Sequence, residues 1–360
     1  AAARRRTCRE GDAMALGSSG KPVRIAFLLV PRFSMMAFAA GVEPLRAANR
    51  LSGTRLFEWQ LVSADGSPVE ASNGIAVAPQ GSLTELGKVD MVITCAGLEA
   101  PEVERSIKVH HQLRRLARHG AVVGAISSGS FLLAEAGLLT GRRCTVHWEY
   151  LDAFRARYPQ LEVTEDLYVI DRNVFTCSGG TAALDMMVHF IGQVAGSKLA
   201  LAVAEQFIHP QVRTQEEQQR LDLHARYRIE NPKLIQVITL MEGALDEPME
   251  LREMARRASI SVRQVERLFR EHLACSPKTF YLDLRLAKAR TLLRRTLGSL
   301  RTIALECGFG SPSHFCHAYK RRYGIPPTHE RRSFTGADGA GQPTPPRRPV
   351  RLQTRKPAEC

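Results

Sequence analysis

Two periodicities divide this 360-residue sequence. They predict an open, mostly parallel α/β sheet flanked by helices, followed by an all-α domain carrying two helix-turn-helix units. Up to about residue 195, apolar runs of strand length alternate with amphipathic stretches, the pattern of buried parallel strands joined by crossover helices. From Asn231 onward only the helical period remains. Charge divides the same way. Glu230 to Phe334 holds 19 Lys/Arg against 11 Asp/Glu, whereas everything before residue 230 holds 26 against 23. An Arg-rich folded segment points to a phosphate backbone as partner, with a solvated surface as the plainer alternative.

In order, "VRIAFLLV" is a strand and "MMAFAAGVEPLRAANRL" a helix. "EWQLVSA" is a second strand, and "VDMVITCAG" precedes the helical "ERSIKVHHQLRRLARHG". "AVVGAI" leads into "GSFLLAEAGLL", and "NVFTCSGG" into "TAALDMMVHFIGQVAG". Ligands of such sheets sit at the carboxyl ends of the strands. This domain spans residues 21–210, after an Arg- and Gly/Ser-rich segment at 1–20 that reads as a disordered tail. Residues 211–229, polar and Gln-rich, read as a partly helical linker. The helical domain takes 230–332, and a Gly/Pro/Arg-rich, basic disordered tail takes 333–360.

The cysteines are Cys8, Cys95, Cys144, Cys177, Cys275, Cys307, Cys316 and Cys360, with no CxxC pair. They read as reduced thiols of a cytoplasmic protein, with no metal site and no cofactor. The longest apolar runs, such as Ile25 to Val30, have strand length, so no membrane span is expected.

In the helical half, "PKLIQVITLMEGAL" and "ELREMARRA" are helices, "SIS" is a turn, and "SVRQVERLFREHL" is a third helix with Ser261 and Gln264 spaced as a capping box. Ser276-Pro277 opens a long helix to about Thr296. Ser299 starts "SLRTIALEC", Gly308 breaks it, and Ser311-Pro312 opens "SHFCHAYKRRYG". Val262, Val265, Leu268 and Phe269 share one face, which leaves Arg263, Gln264, Glu266, Arg267 and Arg270 outward. In the second unit Phe315, Ala318 and Tyr319 point inward, while Ser313, His314, His317, Lys320 and Arg321 point outward. Both outward faces carry groups that read base edges or grip phosphate, and either alone is also an ordinary soluble helix surface. The joining helix, about 20 residues, spans roughly 30 Å. That is near the 34 to 36 Å between successive major-groove faces, so one chain is expected to fill two adjacent grooves of double-stranded DNA.

"IALECGFGSPSHFCHAYKRRYGIPP" resembles the signature of the AraC family of transcription regulators, and Asn231 to Arg332 is similar to its tandem helix-turn-helix domain throughout. The resemblance implies base-facing roles for Arg263, Glu266, Arg267, Ser313, His314 and His317. His317 departs from the Arg common in the family, and Cys316 from Ser. A neutral His reaches less far than a bidentate Arg, which implies weaker or different readout at that step.

"AISSG", residues 125 to 129, puts Ser127 at a sharp corner between strand and helix. It resembles the nucleophile elbow of the class I glutamine amidotransferase-like superfamily, in the branch of the intracellular proteases and deglycase-like proteins. His147 in "CTVHWEY" stands where part of that branch has its site histidine. The two halves together resemble the GlxA-type regulators, which implies an enzyme-like domain that senses a small metabolite. The residues depart from the enzyme pattern. Ser127 replaces the cysteine, Pro31 to Val42 lacks the carboxylate, and Cys95-Ala96-Gly97 replaces a Gly-Gly pair. An alcohol gives essentially no nucleophilic anion without a dedicated base. A serine hydrolase is the enzymatic alternative, with Ser127 as nucleophile, His147 as base and Asp171 or Asp185 as orienter. A third reading makes Ser127 a plain turn residue.

As an effector pocket, the corner offers backbone N–H groups after Ser127 and Ser128 and after Gly179-Gly180-Thr181, beside Gly97, for a carboxylate or other anion. His147 adds a donor and Trp148 an aromatic wall. The expectation is a non-enzymatic, sequence-specific regulator that binds promoter DNA and a small-molecule effector of the amino-acid or amine class. It is expected to dimerise through its N-terminal domain, to engage RNA polymerase, and to activate a catabolic operon. A general nucleic-acid packager, suggested by the basic tails, predicts instead binding insensitive to sequence.

Overall fold

The computed structural model describes residues 21–97, 107–220, 222–296 and 298–334. The expected tail at 1–20, and that at 333–360 beyond Phe334, lie outside the described residues. The chain divides into two compact units at Arg220/Leu221, inside the segment read as a linker.

The first unit opens with β1 (Val23–Leu29), α1 (Met35–Ser52) and β2 (Phe57–Ser63). The short β3 (Val69–Glu70), β4 (Ala76–Val77) and β5 (Gly81–Ser82) follow, then β6 (Met91–Cys95), α2 (Ile107–Arg118) and β7 (Val122–Ile126). After a 3-10 turn at Ser127–Gly129 come α3 (Ser130–Glu135), β8 (Arg143–Cys144), α4 (Leu151–Arg157), β9 (Glu162–Val163), β10 (Tyr168–Asp171) and β11 (Val174–Cys177). It ends with α5 (Ala182–Ala195) and α6 (Ser197–Gln206). Seven strands form one sheet in the order β10-β11-β7-β6-β1-β2-β5. All neighbours are parallel except the β10–β11 pair. That hairpin was not read from the sequence, because "LYVIDRNVF" is too short to separate two strands by periodicity alone.

Alternation along β1 explains the layers. Ile25, Phe27 and Leu29 pack on one face with Ile93, Ile126 and the apolar sides of α1 and α5. Ala26, Leu28 and Val30 pack on the other with Val92, Val123 and Phe131. Both faces are covered, so the strands read as continuous apolar runs. The strands end together at Cys95, Ile126 and Cys177, which are register partners across β6, β7 and β11.

The second unit contains α7 (Leu223–Tyr227), α8 (Pro232–Glu242), α9 (Leu251–Arg257), α10 (Val262–Leu273), α11 (Pro277–Arg295), α12 (Leu300–Glu306), α13 (Pro312–Tyr323) and α14 (Pro327–Phe334). Its two cores are separate: one gathers Leu234, Val237, Met254, Val265 and Phe269, the other Ile303, Phe309, Phe315 and Tyr319. The spine α11 serves both, with Tyr281 in the first and Leu286, Ala289 and Leu293 in the second. Its 19 residues correspond to a length of about 28 Å. Ile229 is buried in the first of these cores with Leu223 and Tyr227 packed against it, so the end of the expected linker is part of this unit.

Candidate nucleic-acid interface and candidate effector site

Each reading helix is set by its own cap. Ser261 accepts from the Gln264 N–H while the Gln264 side chain accepts from the Ser261 N–H at 2.8 Å, a complete capping box. Ser311 accepts from the His314 N–H at the start of α13. Val265, Leu268 and Phe269 are buried on α10, as are Phe315, Ala318 and Tyr319 on α13. Val262 is half-buried. Arg263, Gln264, Glu266, Arg267 and Arg270 are all exposed, as are Ser313, His314, His317, Lys320 and Arg321. Within this set Gln264 has its amide oxygen committed to the cap, and Arg267 lies 3.1 Å from Glu271 one turn on. The His314 ring stands edge-on to Phe309, centroids 5.6 Å apart.

Behind the second reading helix, Glu330 is buried and bonds the Tyr319 hydroxyl at 3.0 Å and the guanidinium of Arg290 at 3.1 Å, with Arg294 on the same carboxylate. Burial pushes its carboxyl up, but the two arginines and the Tyr319 hydroxyl outweigh this and hold it below the usual range. A charge fixed at that depth locks α14 against α11 and α13.

In the first unit the elbow is present as geometry. Ser127 has φ 62°, a left-handed conformation for a residue with a side chain, and is 3% exposed. Such a residue carries about 1–3 kcal/mol of strain, which the packing around it must hold. Gly179 makes this fit: a Cβ there would come within 2.8 Å of the Ser127 Cβ. Gly97 is equally constrained, because its Cβ would meet the Arg32 carbonyl oxygen at 1.9 Å. The Gly97 carbonyl accepts from the Ser128 hydroxyl, so that hydroxyl is turned into the fold. Ser127, Ser128, Gly97 and Gly179 thus form one buried corner, with Gly180 half-buried and Thr181 exposed beside it.

His147 and Trp148 lie on a segment tied to the same corner. Ser130, the first residue of α3, donates to the Thr145 carbonyl at 2.7 Å, and Thr145 N–H donates to Thr176 on β11 at 2.8 Å. His147 is half-buried, and its Nδ1 accepts from the Glu149 N–H at 3.3 Å. In the neutral ring that leaves the proton on Nε2, the reverse of the tautomer a serine base needs. Trp148 is 39% exposed, with the Arg220 guanidinium 4.8 Å from its ring centroid.

Neither candidate orienter is arranged for relay. Asp185 is fully buried, with Oδ1 on His209 at 2.7 Å and Oδ2 on Arg213 at 2.6 Å. Asp171 accepts from the Arg143 N–H at 2.9 Å and lies near Arg142 and Arg172. The thiols around the corner are no substitute nucleophiles. Burial pushes Cys177 up to about 12 and Cys144 to about 12, and it pushes Cys95 up as well. Among the described residues no cluster of three His, Cys, Asp or Glu is placed to hold a metal, and no helix is long and apolar enough to cross a membrane.

Two families match separate parts of the chain: the helix-turn-helix domain over residues 254–333 and the DJ-1/PfpI family over residues 23–193. The HTH-type transcriptional regulator CdhR of Pseudomonas aeruginosa is 47% identical over 305 residues, covering 85% of this chain and 90% of that protein. The chain belongs to the GlxA-type HTH transcriptional regulators. GlxA of Rhizobium meliloti itself is 38% identical over 89% of this chain and 99% of its own. Isonitrile hydratase of Pseudomonas putida is 26% identical over 50% of this chain and 76% of that enzyme. The family pairs an AraC-type DNA-binding domain with an amidotransferase-like domain, as the resemblances of both halves implied.

In this regulator the residues missed from the sequence are those of the strap His209–Arg220. Arg213 donates from its backbone to Asp185 at 2.8 Å and from its side chain to Thr181 at 2.7 Å. Leu167 N–H donates to the Gln215 carbonyl at 2.8 Å, and Asp166 forms a bridge with Gln218. The Gln219 amide nitrogen lies 3.0 Å from Thr145 Oγ1, the Val146 carbonyl and the Asp166 carbonyl. One signal pointed here: Asp185 interrupts the apolar "AALDMMVHFIG", and a buried carboxylate requires a cation from elsewhere.

Proposed function

We propose that this regulator reads a specific operator with both helix-turn-helix units and that its first unit is a catalytically silent sensor of a small amino-acid or amine metabolite. The observation that carries the reading is the single spine α11 shared by two separate cores, each holding a reading helix with an exposed polar face. Arg263, Glu266 and Arg267 contact bases from α10, and Ser313, His314 and His317 from α13. Gln264, Arg270, Lys320 and Arg321 flank them toward phosphate. The protein works in the cytoplasm as a dimer through its first unit and engages RNA polymerase to activate a catabolic operon.

The sensing half rests on a retained elbow without an equipped nucleophile. The strained Ser127 corner, the backbone N–H groups after it and after Gly180, and His147 with Trp148 form the effector site. Conversion of the elbow from catalysis to recognition accounts for the His147 tautomer and for the commitment of Asp185 to Arg213. The similarity to isonitrile hydratase keeps one enzymatic reading in view, a Ser127-dependent hydrolase, which requires turnover lost in Ser127→Ala.

Selection of operators from random duplexes by the full chain, followed by footprinting, tests the DNA reading. Protection of two successive major grooves on one face is expected. Protection limited to half a turn, or none on any selected duplex, removes it. Ser127→Ala is expected to leave effector-free DNA affinity unchanged.

A further inference from the structure

We infer that the strap His209–Arg220 completes the effector site, with the Gln219 amide oxygen accepting an N–H from a protonated amine ligand and the strap's hold on the first unit as the quantity that ligand changes. This deepens the sensor reading above and rests on it.

The strap runs between the two sides of the corner. It begins at the start of α5, where Arg213 grips Thr181 and Asp185, and ends where Arg220 covers the Trp148 ring. Thr181 follows Gly179, which packs on Ser127, and Thr145 is bonded to the first residue of the elbow helix. Arg220 is also the last residue of the first unit. A change in the hold therefore reaches the point where the DNA-binding unit is attached.

The chemistry at Gln219 is unbalanced in one direction. Its amide nitrogen has two hydrogens and three acceptors at 3.0 Å, while its amide oxygen is buried with no hydrogen-bond partner. Two of the three neighbours are carbonyl oxygens, which fixes the nitrogen on that side. The Thr145 hydroxyl also donates to the Asp166 carbonyl at 2.9 Å, so the neighbouring acceptors are served and the Gln219 oxygen is the acceptor of this group left without a donor. A buried acceptor left unpaired is costly, and a ligand N–H relieves it. An ammonium or a guanidinium supplies several donors with positive charge; a quaternary amine supplies none.

The entry to the strap is strained. Ile208 has φ 52° and is 90% exposed. A β-branched side chain in that conformation persists only where neighbouring bonds over-determine it. Here those are Ile208 N–H to Glu205, His209 N–H to Ala204 and the His209–Asp185 pair. Parting the His209–Asp185 pair removes one of these restraints, so the strain at Ile208 favours release at the entry of the strap.

The test uses the full chain, trypsin cleavage after Arg213 and Arg220, and thermal shifts with L-arginine, L-lysine, ethanolamine and trimethylglycine. Cleavage reports the open population when opening is fast. Without any probe, Gln219→Leu and Arg220→Ala are each expected to raise cleavage after Arg213, the site both variants retain, about tenfold. At least one N–H-bearing probe is expected to stabilise the wild type and to alter cleavage at least fivefold, with its affinity falling about tenfold or more in Gln219→Leu. Wild-type cleavage rates in both variants overturn the hold. Equal response of Gln219→Leu to an active probe, or no response to any N–H-bearing probe, overturns the ligand contact. Stabilisation by trimethylglycine alone removes Gln219 while the sensor reading stands.

Discussion

The first reading helix begins at residue 262 and the second at 312, and both run for 12 residues. Both end on a residue with positive φ, Ala274 and Gly324. Both are followed three residues later by a proline that opens the next helix, Pro277 and Pro327. At this offset of 50 positions the buried residues correspond: Val265 with Phe315, Leu268 with Ala318, Phe269 with Tyr319. The exposed ones do not. Arg263 corresponds to Ser313, Gln264 to His314, and Arg267 to His317. Packing has been repeated while the outward lettering has diverged. At these three positions the first helix carries Arg, Gln and Arg, two of them guanidinium groups long enough to span two acceptors of a guanine, whereas the second carries the shorter Ser, His and His.

The largest expected effect attacks the packing. Phe315→Ala should cost about 3–5 kcal/mol and unfold the core behind the second reading helix, while the separate core around Phe269 survives. Far-UV circular dichroism with hydrogen exchange on the two reading helices distinguishes this from collapse of the whole domain. Next comes Glu330, whose partners lie only behind the second helix. Its folded carboxyl is held below its unfolded value, so its contribution is complete above the unfolded carboxylate range and is lost as pH falls through the folded value. The melting temperature of Glu330→Gln should therefore lie below wild type at pH 7, and the gap should close in acid.

The proposed base contacts rank third. Arg267→Ala should weaken operator binding by about 1–3 kcal/mol and relax preference at one base step, measured against a set of single-base operator variants. His317→Ala should do less, and His317→Arg should sharpen selection; equal losses at 267 and 317 would erase the asymmetry between the helices. Ala274→Gly removes a side chain from a left-handed position that Gly324 already fills without strain, and should raise stability by about 1 kcal/mol. The smallest effect is at Lys320. Its replacement by Ala should reduce the slope of binding against salt by about one unit without altering sequence preference.

Much of this asymmetry is legible before any folding. Ser261, Ser276, Ser299 and Ser311 announce helix starts, and each caps the helix that follows it. The inward and outward faces of α10 and α13 follow from the 3.6-residue period, and the strands of the first unit from buried apolar runs. The corner at Ser127 was legible as a sharp turn of small residues. Its left-handed backbone was not, because serine has no preference for that conformation and the space it needs is left by Gly179, which is 52 residues away in the sequence.

The strap shows the limit most clearly. "QVRTQEEQQR" has no period and reads as a solvated connection, yet Arg213 and Gln219 find partners 28 and 74 residues away. Likewise, which carboxylate His147 was to use could be asked from spacing but was answered by Asp185 turning to Arg213 and by the Nδ1 contact with Glu149. The sequence by itself determined the reading helices, the spine and the buried parallel strands, with the helix caps and buried faces, since these depend on neighbours within one or two turns. Only the tertiary structure decided where buried charges and amides discharge their hydrogen bonds, since a polar group accepts whichever partner the fold brings within about 3 Å, however distant along the chain.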